Sequence, residues 1–259
     1  MIIVRKILLG LFFFTLAGGL LPIFAQNTQY SDYQFQQDLY RKNYATYQLF
    51  LKDYLSDSSL NNEQKAIQAA KEALKYREST LSHFYWWQAE ILNASQIDLP
   101  IVKQSISDLN TVGQYHYAQS QDTSLINTKS DLKKFTLDNR KQVDQYDIIT
   151  VKSQVIIKLA RLVQFQNDLK RAYDYLNDKL DAQKDILTVK NGLEQIFTNA
   201  NKANELLEKL TVKINDLDLS ELRQSQFFEK SVESMTIIKS LQSRSIDIIV
   251  ELDTNYVAR

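Results

Sequence analysis

Across the 234 residues that follow the first 25 of its 259, this chain contains two glycines, Gly113 and Gly192, and one proline, Pro100. Tight strand-to-strand turns rely on glycine for positive φ and on proline for a preset φ, so a chain this poor in both has few ways to reverse direction at short intervals. Helices require neither residue in their interiors, and Pro100 is tolerated in a first helical turn. The chain is therefore expected to be all-α: an elongated up-and-down bundle of five or six long helices with coiled-coil-like packing.

The leading segment, residues 1–25, has a different character. Arg5 and Lys6 precede the apolar run Ile7 to Leu21, and Pro22 and the small Ala25 come before polar Gln26. That order reads as a secretory signal peptide cut after Ala25. Left uncut, residues 7–25 would extend about 28 Å as a helix, enough to anchor the chain in a bilayer, and both fates stay open. In either case the basic pair remains cytoplasmic, and the remainder is expected outside the cytoplasmic membrane: secreted, periplasmic or at the cell surface. Residues 26–259 are read as one elongated bundle, with possible sub-segments 26–122 and 124–259.

Of 31 Lys and Arg, two lie in the leading segment, which leaves 29 against 31 Asp and Glu. Interspersed along the chain, this balance predicts no sustained basic field for nucleic acid and no polybasic patch for anionic lipid, so membrane contact is expected only through residues 7–25, if they stay uncut. Without cysteine the exported chain has no disulfide, no acylated thiol and no thiolate-bound metal.

Heptad spacing places the helices. Tyr33, Tyr40, Tyr47 and Tyr54 recur every seven residues, with Tyr30, Gln37, Tyr44 and Leu51 at the interleaved position, in a helix over about 28–56. A polar turn, 57–62, joins it to a second helix reaching Ala94, with a seam through Ile67, Ala70, Leu74, Arg77, Leu81, Phe84, Gln88 and Ile91. The pair should form an antiparallel hairpin. A third helix, 100–120, carries Val102, Ile106, Leu109, Gly113 and His116. A fourth runs from about Leu125 for some sixty residues, ending either at the polar stretch 181–185 or at Asn191-Gly192. The fifth shows an unbroken seam from Val189 through Ile196, Ala203 and Leu210 to Leu217. For the sixth, Asp218 reads as N-cap, Glu221 as its capping-box partner and Leu217 with Leu222 as a hydrophobic staple. Its core stripe, Phe228, Val232, Met235, Ile238, Leu241, Ile248 and Leu252, drifts around the helix.

Chemistry-bearing patterns are few. His83 and His116 fall at similar heights in the second and third helices, but neither has the Glu-x-x-His context of a di-metal bundle, and ordinary packing accounts for them. Asp216, Asp218 and Glu221 lack the glycine and further oxygens of a calcium loop. No glycine-rich phosphate cradle or activated nucleophile is visible, so no catalytic, cofactor or metal site and no enzyme activity are expected. Tyr85, Trp86 and Trp87 form an aromatic run that is a candidate interaction surface; Trp86 and Trp87, adjacent in a helix, point about 100° apart and cannot both be buried against one partner, so one of the two is expected to mark a contact surface. Gln37, Arg77, Gln88 and Gln166, polar on predicted seams, are candidates for setting register.

Asp32-Tyr33, Tyr40-Arg41-Lys42-Asn43-Tyr44, Asp53-Tyr54-Leu55 and the later Ala66, Ala70, Leu74, Arg77, Leu81 and Tyr85 form a pattern that resembles exported helical proteins of unassigned function from small-genome candidate-phyla bacteria. The resemblance covers residues 30–92 and implies a bacterial envelope setting and a helical fold, with no activity. The expected function is a structural or protein-interaction bundle of the envelope that binds a protein partner or itself. Alternatives are a module whose aromatic hairpin holds a glycan, peptide or lipid, and an extracytoplasmic sensor-like bundle.

Overall fold

The computed structural model describes residues 28–217 and 226–257, and every regular element among them is helical. Seven helices follow in order: α1 (Thr28–Ser56), α2 (Leu60–Ala94), α3 (Pro100–Asp122), α4 (Lys129–Arg140), α5 (Val143–Lys179), α6 (Leu187–Asn215) and α7 (Gln226–Leu252). No described helix is long and apolar enough to cross a membrane. The helices gather into two compact units, one formed by Gln26–Gln154 and one containing Val155–Arg259, and the chain passes from one to the other within α5.

In the first unit α1 and α2 form the expected hairpin. Asp57 organises its turn: Oδ1 accepts from the Ser59 N–H at 3.2 Å, while the Asn62 amide donates to Asp57 Oδ2 at 3.1 Å. Such aspartate-centred turns replace the missing glycine. Helix α1 packs chiefly against α2 and has no fully buried residue, because one neighbour covers only one side. Helix α2 is central. Its half-buried Ile67, Leu74, Leu81, Phe84 and Ile91 match the predicted seam, but its most buried residues are Ala66, Ala69, Ala70, Ala73, Glu78, Ser82, Tyr85, Gln88, Ala89 and Leu92. The small alanines at its start let a neighbouring helix approach closely. The α2 chain ends through Gln96 at φ 54°, a left-handed position that is usually glycine where helices end this way.

The predicted sixty-residue fourth helix is two helices, and this corrects the helix count. A 3-10 turn, Thr123–Leu125, precedes α4, and α4 and α5 are divided at Lys141 and Gln142, whose N–H groups donate to Asp138 and Asn139 three residues back. No glycine or proline marks the break. It is held by a tertiary contact, Tyr115 Oη of α3 donating to Asn139 Oδ1 at 2.8 Å. Thr128 and Asp131 build a complete capping box at the start of α4.

The second unit comprises most of α5 with α6 and α7. Helix α5 ends at Lys179, ahead of the 3-10 turn Asp181–Gln183, so the polar stretch terminates it and Asn191-Gly192 lies inside α6. The α6 seam is as expected from Val189 to Leu217, except that Asn199 takes the buried place given to Ala200. On α7 the buried positions are Phe227, Ser231, Met235, Ile238, Gln242, Ser245, Ile249 and Leu252, spaced four and three. The stripe therefore holds one face, and Val232, expected inside, is 48 % exposed. The predicted drift came from passing over the polar seam members. The capping pattern at Asp218, Glu221 and Leu222, and the Phe228 side chain, lie outside the described residues.

Candidate functional site

The aromatic residues of the hairpin are partnered within the fold. Trp87 lies 5.8 Å from Tyr33, nearly parallel to it, and 4.9 Å from Tyr30, so it joins α2 to α1. Trp86 turns the other way, to α3, where its ring sits against Gly113 and 5.9 Å from Tyr117. A Cβ built on Gly113 would stand 2.5 Å from Trp86 Nε1, so this position has no room for a side chain. The divergence expected of adjacent residues thus sends each tryptophan to a different neighbour, and both are half-buried. Tyr85, expected with them at a surface, is 5 % exposed and belongs to the interior.

Tyr85 leads into a buried polar cluster between α2, α3 and the start of α5. Its hydroxyl lies 2.9 Å from Thr150 Oγ1, and its ring stacks on His116 at an interplanar angle of 2° with centroids 5.6 Å apart. His116 Nδ1 is 2.6 Å from Glu78 Oε2, the imidazole donating to a carboxylate that is 1 % exposed. Arg77 Nη1 donates to the other oxygen at 3.0 Å, reaching in from a side chain that is 43 % exposed. Tyr115 and Tyr146 close on His116 at 5.3 Å each. Burial, reinforced by neighbouring tyrosines and Glu78, pushes the Tyr146 phenol up to about 12, and burial raises Tyr85 and Tyr115 as well. His83 lies apart from this group, with Nδ1 3.1 Å from Gln29 Oε1 of α1 and its ring edge-on to Trp86. Burial lowers its pKa, with partial opposition from Asp32.

The cluster ties three helices together: Glu78 to His116, Tyr85 to Thr150, and Gln88 Oε1 accepting from Ser153 Oγ at 2.6 Å. The buried carboxylate resists sliding of α2 past α3, since a slip would part Oε2 from His116 while Arg77 moves along with Glu78. The polar seam residues differ in what they do. Gln88 crosses to α5 as described. Gln166 donates to the Ala200 carbonyl of α6 at 3.3 Å and accepts from Gln242 of α7 at 3.2 Å, and Gln242 also donates to the Leu162 carbonyl at 3.0 Å. This polar layer joins all three helices of the second unit. Gln37 donates to Tyr33 Oη of its own helix, and Arg77 serves Glu78, so their hydrogen bonds do not cross the hairpin.

Glu78 is the member that sequence reasoning missed. Its neighbour Arg77 stands on the predicted α2 seam, while Glu78 lies on a second packed face that a single-stripe reading does not resolve. Among the described residues no three His, Asp or Glu side chains come together as metal ligands. Compared with protein-family models, curated proteins and solved structures, the chain matches none.

Proposed function

We propose that this is an exported helical bundle of a bacterial envelope whose role is structural or interactive, and that it associates with further copies of itself through the outer side of α1. The observation that carries this reading is the exposure of Phe35 and Leu49, 61 % and 63 %, on the side opposite the tyrosine face that packs on α2. They are two heptads apart, within about 40° of each other around the helix, as a second coiled-coil seam would require. The interior polar groups act on helix register, which suits a rigid scaffold. The alternative of an aromatic ligand platform is less favoured, because the tryptophan and tyrosine rings of the hairpin meet one another.

Light scattering across a concentration series tests the reading. The expected result is a mass that rises above the monomer value with concentration and returns to it in a Phe35→Glu/Leu49→Glu variant whose circular dichroism is unchanged. A strictly monomeric wild-type chain would exclude self-association.

A further inference from the structure

We propose that the solvent face of α4 docks on the surface of an anionic lipid bilayer. At about 100° per residue, Lys129, Lys133, Lys134, Leu137 and Arg140 of this twelve-residue helix, with Lys141 continuing its turn as the C-cap, fall within roughly 140° of one another on one side. All six are exposed, and Leu137, at the centre of the group, is 49 % exposed. The opposite side, Leu132, Phe135 and Asn139, is half-buried and holds the helix to its own unit. The even charge balance of the whole chain conceals this local concentration, because helical geometry gathers cations that alternate with other residues in sequence.

Two acids, Asp131 and Asp138, offset part of this charge, and the five cations keep an excess of three over them. Asp131 is engaged in the capping box with Thr128, and Asp138 accepts from Lys141 at 2.7 Å. Lys129 lies over the Tyr54 ring of α1 at 5.6 Å. Lys133 and Arg140 have no acidic partner among the described residues. The side chains outline a trough of about 590 Å³ lined by α4 and Lys141 alone. With no second wall, it does not enclose a small anion; it matches a broad, flat partner. An exposed leucine ringed by cations on flexible stems suits the boundary between headgroups and acyl chains, where each Lys or Arg meets lipid phosphate while the apolar side chain enters the interface. This inference stands on the geometry of α4 and goes beyond the scaffold reading; it does not depend on the fate of residues 1–25.

The chain has no cysteine, so Ser130→Cys gives a unique attachment point for an environment-sensitive fluorophore on this face of the full-length protein. The readout is local to α4, so attachment through residues 7–25 does not affect a comparison of vesicle types. On vesicles of mixed phosphatidylglycerol and phosphatidylcholine the emission should shift to the blue, and on pure phosphatidylcholine it should not. About 0.5 M salt should reverse the shift by screening. Lys133→Glu/Arg140→Glu should weaken the response at least about 30-fold in lipid concentration, and the milder Lys133→Gln/Arg140→Gln by a similar order if both charges meet lipid. Equal shifts on both vesicle types, or a response unchanged in both variants, overturns the proposal. A shift produced by soluble polyglutamate in the absence of vesicles, with none on anionic vesicles, assigns the face to an acidic polypeptide and overturns it equally.

Discussion

Glu78 is the side chain with most at stake in its pairing. Its carboxylate is 1 % exposed and depends on His116 and Arg77 for hydrogen bonds. Replacing His116 by Leu leaves Oε2 of this buried carboxylate without its donor, with Arg77 still on Oε1, and losing such a hydrogen bond to a charged group costs about 1.5–3 kcal/mol. Glu78→Gln retains an acceptor for the imidazole without a buried charge and should cost closer to about 1 kcal/mol. Urea denaturation followed by circular dichroism should therefore give a lower midpoint for His116→Leu than for Glu78→Gln. Equal midpoints would mean that the pair does not hold a buried charge. His116 stands out in sequence as one of two histidines, whereas Glu78 does not. Among 31 acidic residues nothing local separates it from a solvated one, and only the position of α3 makes it interior.

At the scale of elements, the two helical glycines should respond differently to alanine. Alanine in a helix gains roughly 1 kcal/mol over glycine when space allows. At Gly192 the new Cβ meets the flexible end of Leu252, Cδ1 at 3.1 Å, and the branch methyl of Ile248, Cγ2 at 3.2 Å, contacts that a shift of a few tenths of an ångström relieves, so Gly192→Ala should change stability by less than about 1 kcal/mol. At Gly113 it meets the rigid indole of Trp86, and Gly113→Ala should destabilise by about 1–3 kcal/mol and alter tryptophan fluorescence. An unperturbed spectrum in that variant would show that the indole has room to yield. The elements themselves were legible to different degrees. The seams of α1 and α6 follow the period except at Tyr44, which is 45 % exposed, and at Ala200, whose buried place Asn199 takes. The α7 seam was misphased because Ser231, Gln242 and Ser245 occupy core places that a search for apolar residues skips. The start of α4, expected near Leu125, lies at the Thr128–Asp131 capping box that the reading of apolar spacing passed over, and its end carries no breaker and depends on Asn139 meeting Tyr115.

At the scale of the whole molecule, pH acts unevenly on the two units. Tyr85, Tyr115 and Tyr146 all belong to the first, and each has its pKa raised from 10.0, Tyr146 to about 12. A raised folded pKa contributes stability that is whole below the unfolded value and is lost as pH climbs towards the folded one. Between about pH 10 and 12 the unfolded chain has released protons that the folded unit still holds, so the first unit is destabilised there. His83 acts in the opposite sense: with its pKa lowered from 6.5, its contribution is whole above 6.5 and is lost as pH falls below that value. Both tryptophans lie in the first unit, so their fluorescence should report an alkaline transition in this window while part of the helical circular dichroism persists. Complete loss of helix in the same step would show that the two units unfold together.

The sequence by itself determined that the chain is all-helical, because scarce glycine and proline and repeated heptads admit little else, and it located the hairpin and the α6 seam through periodicity alone. Tertiary structure decided which faces of α2 are interior, where α4 parts from α5, that Glu78 and His116 meet, and that the cations of α4 share one side. Each of these depends on residues distant in sequence, or on side chains gathered by a helix whose ends are set by contacts elsewhere, and neither is encoded in local spacing.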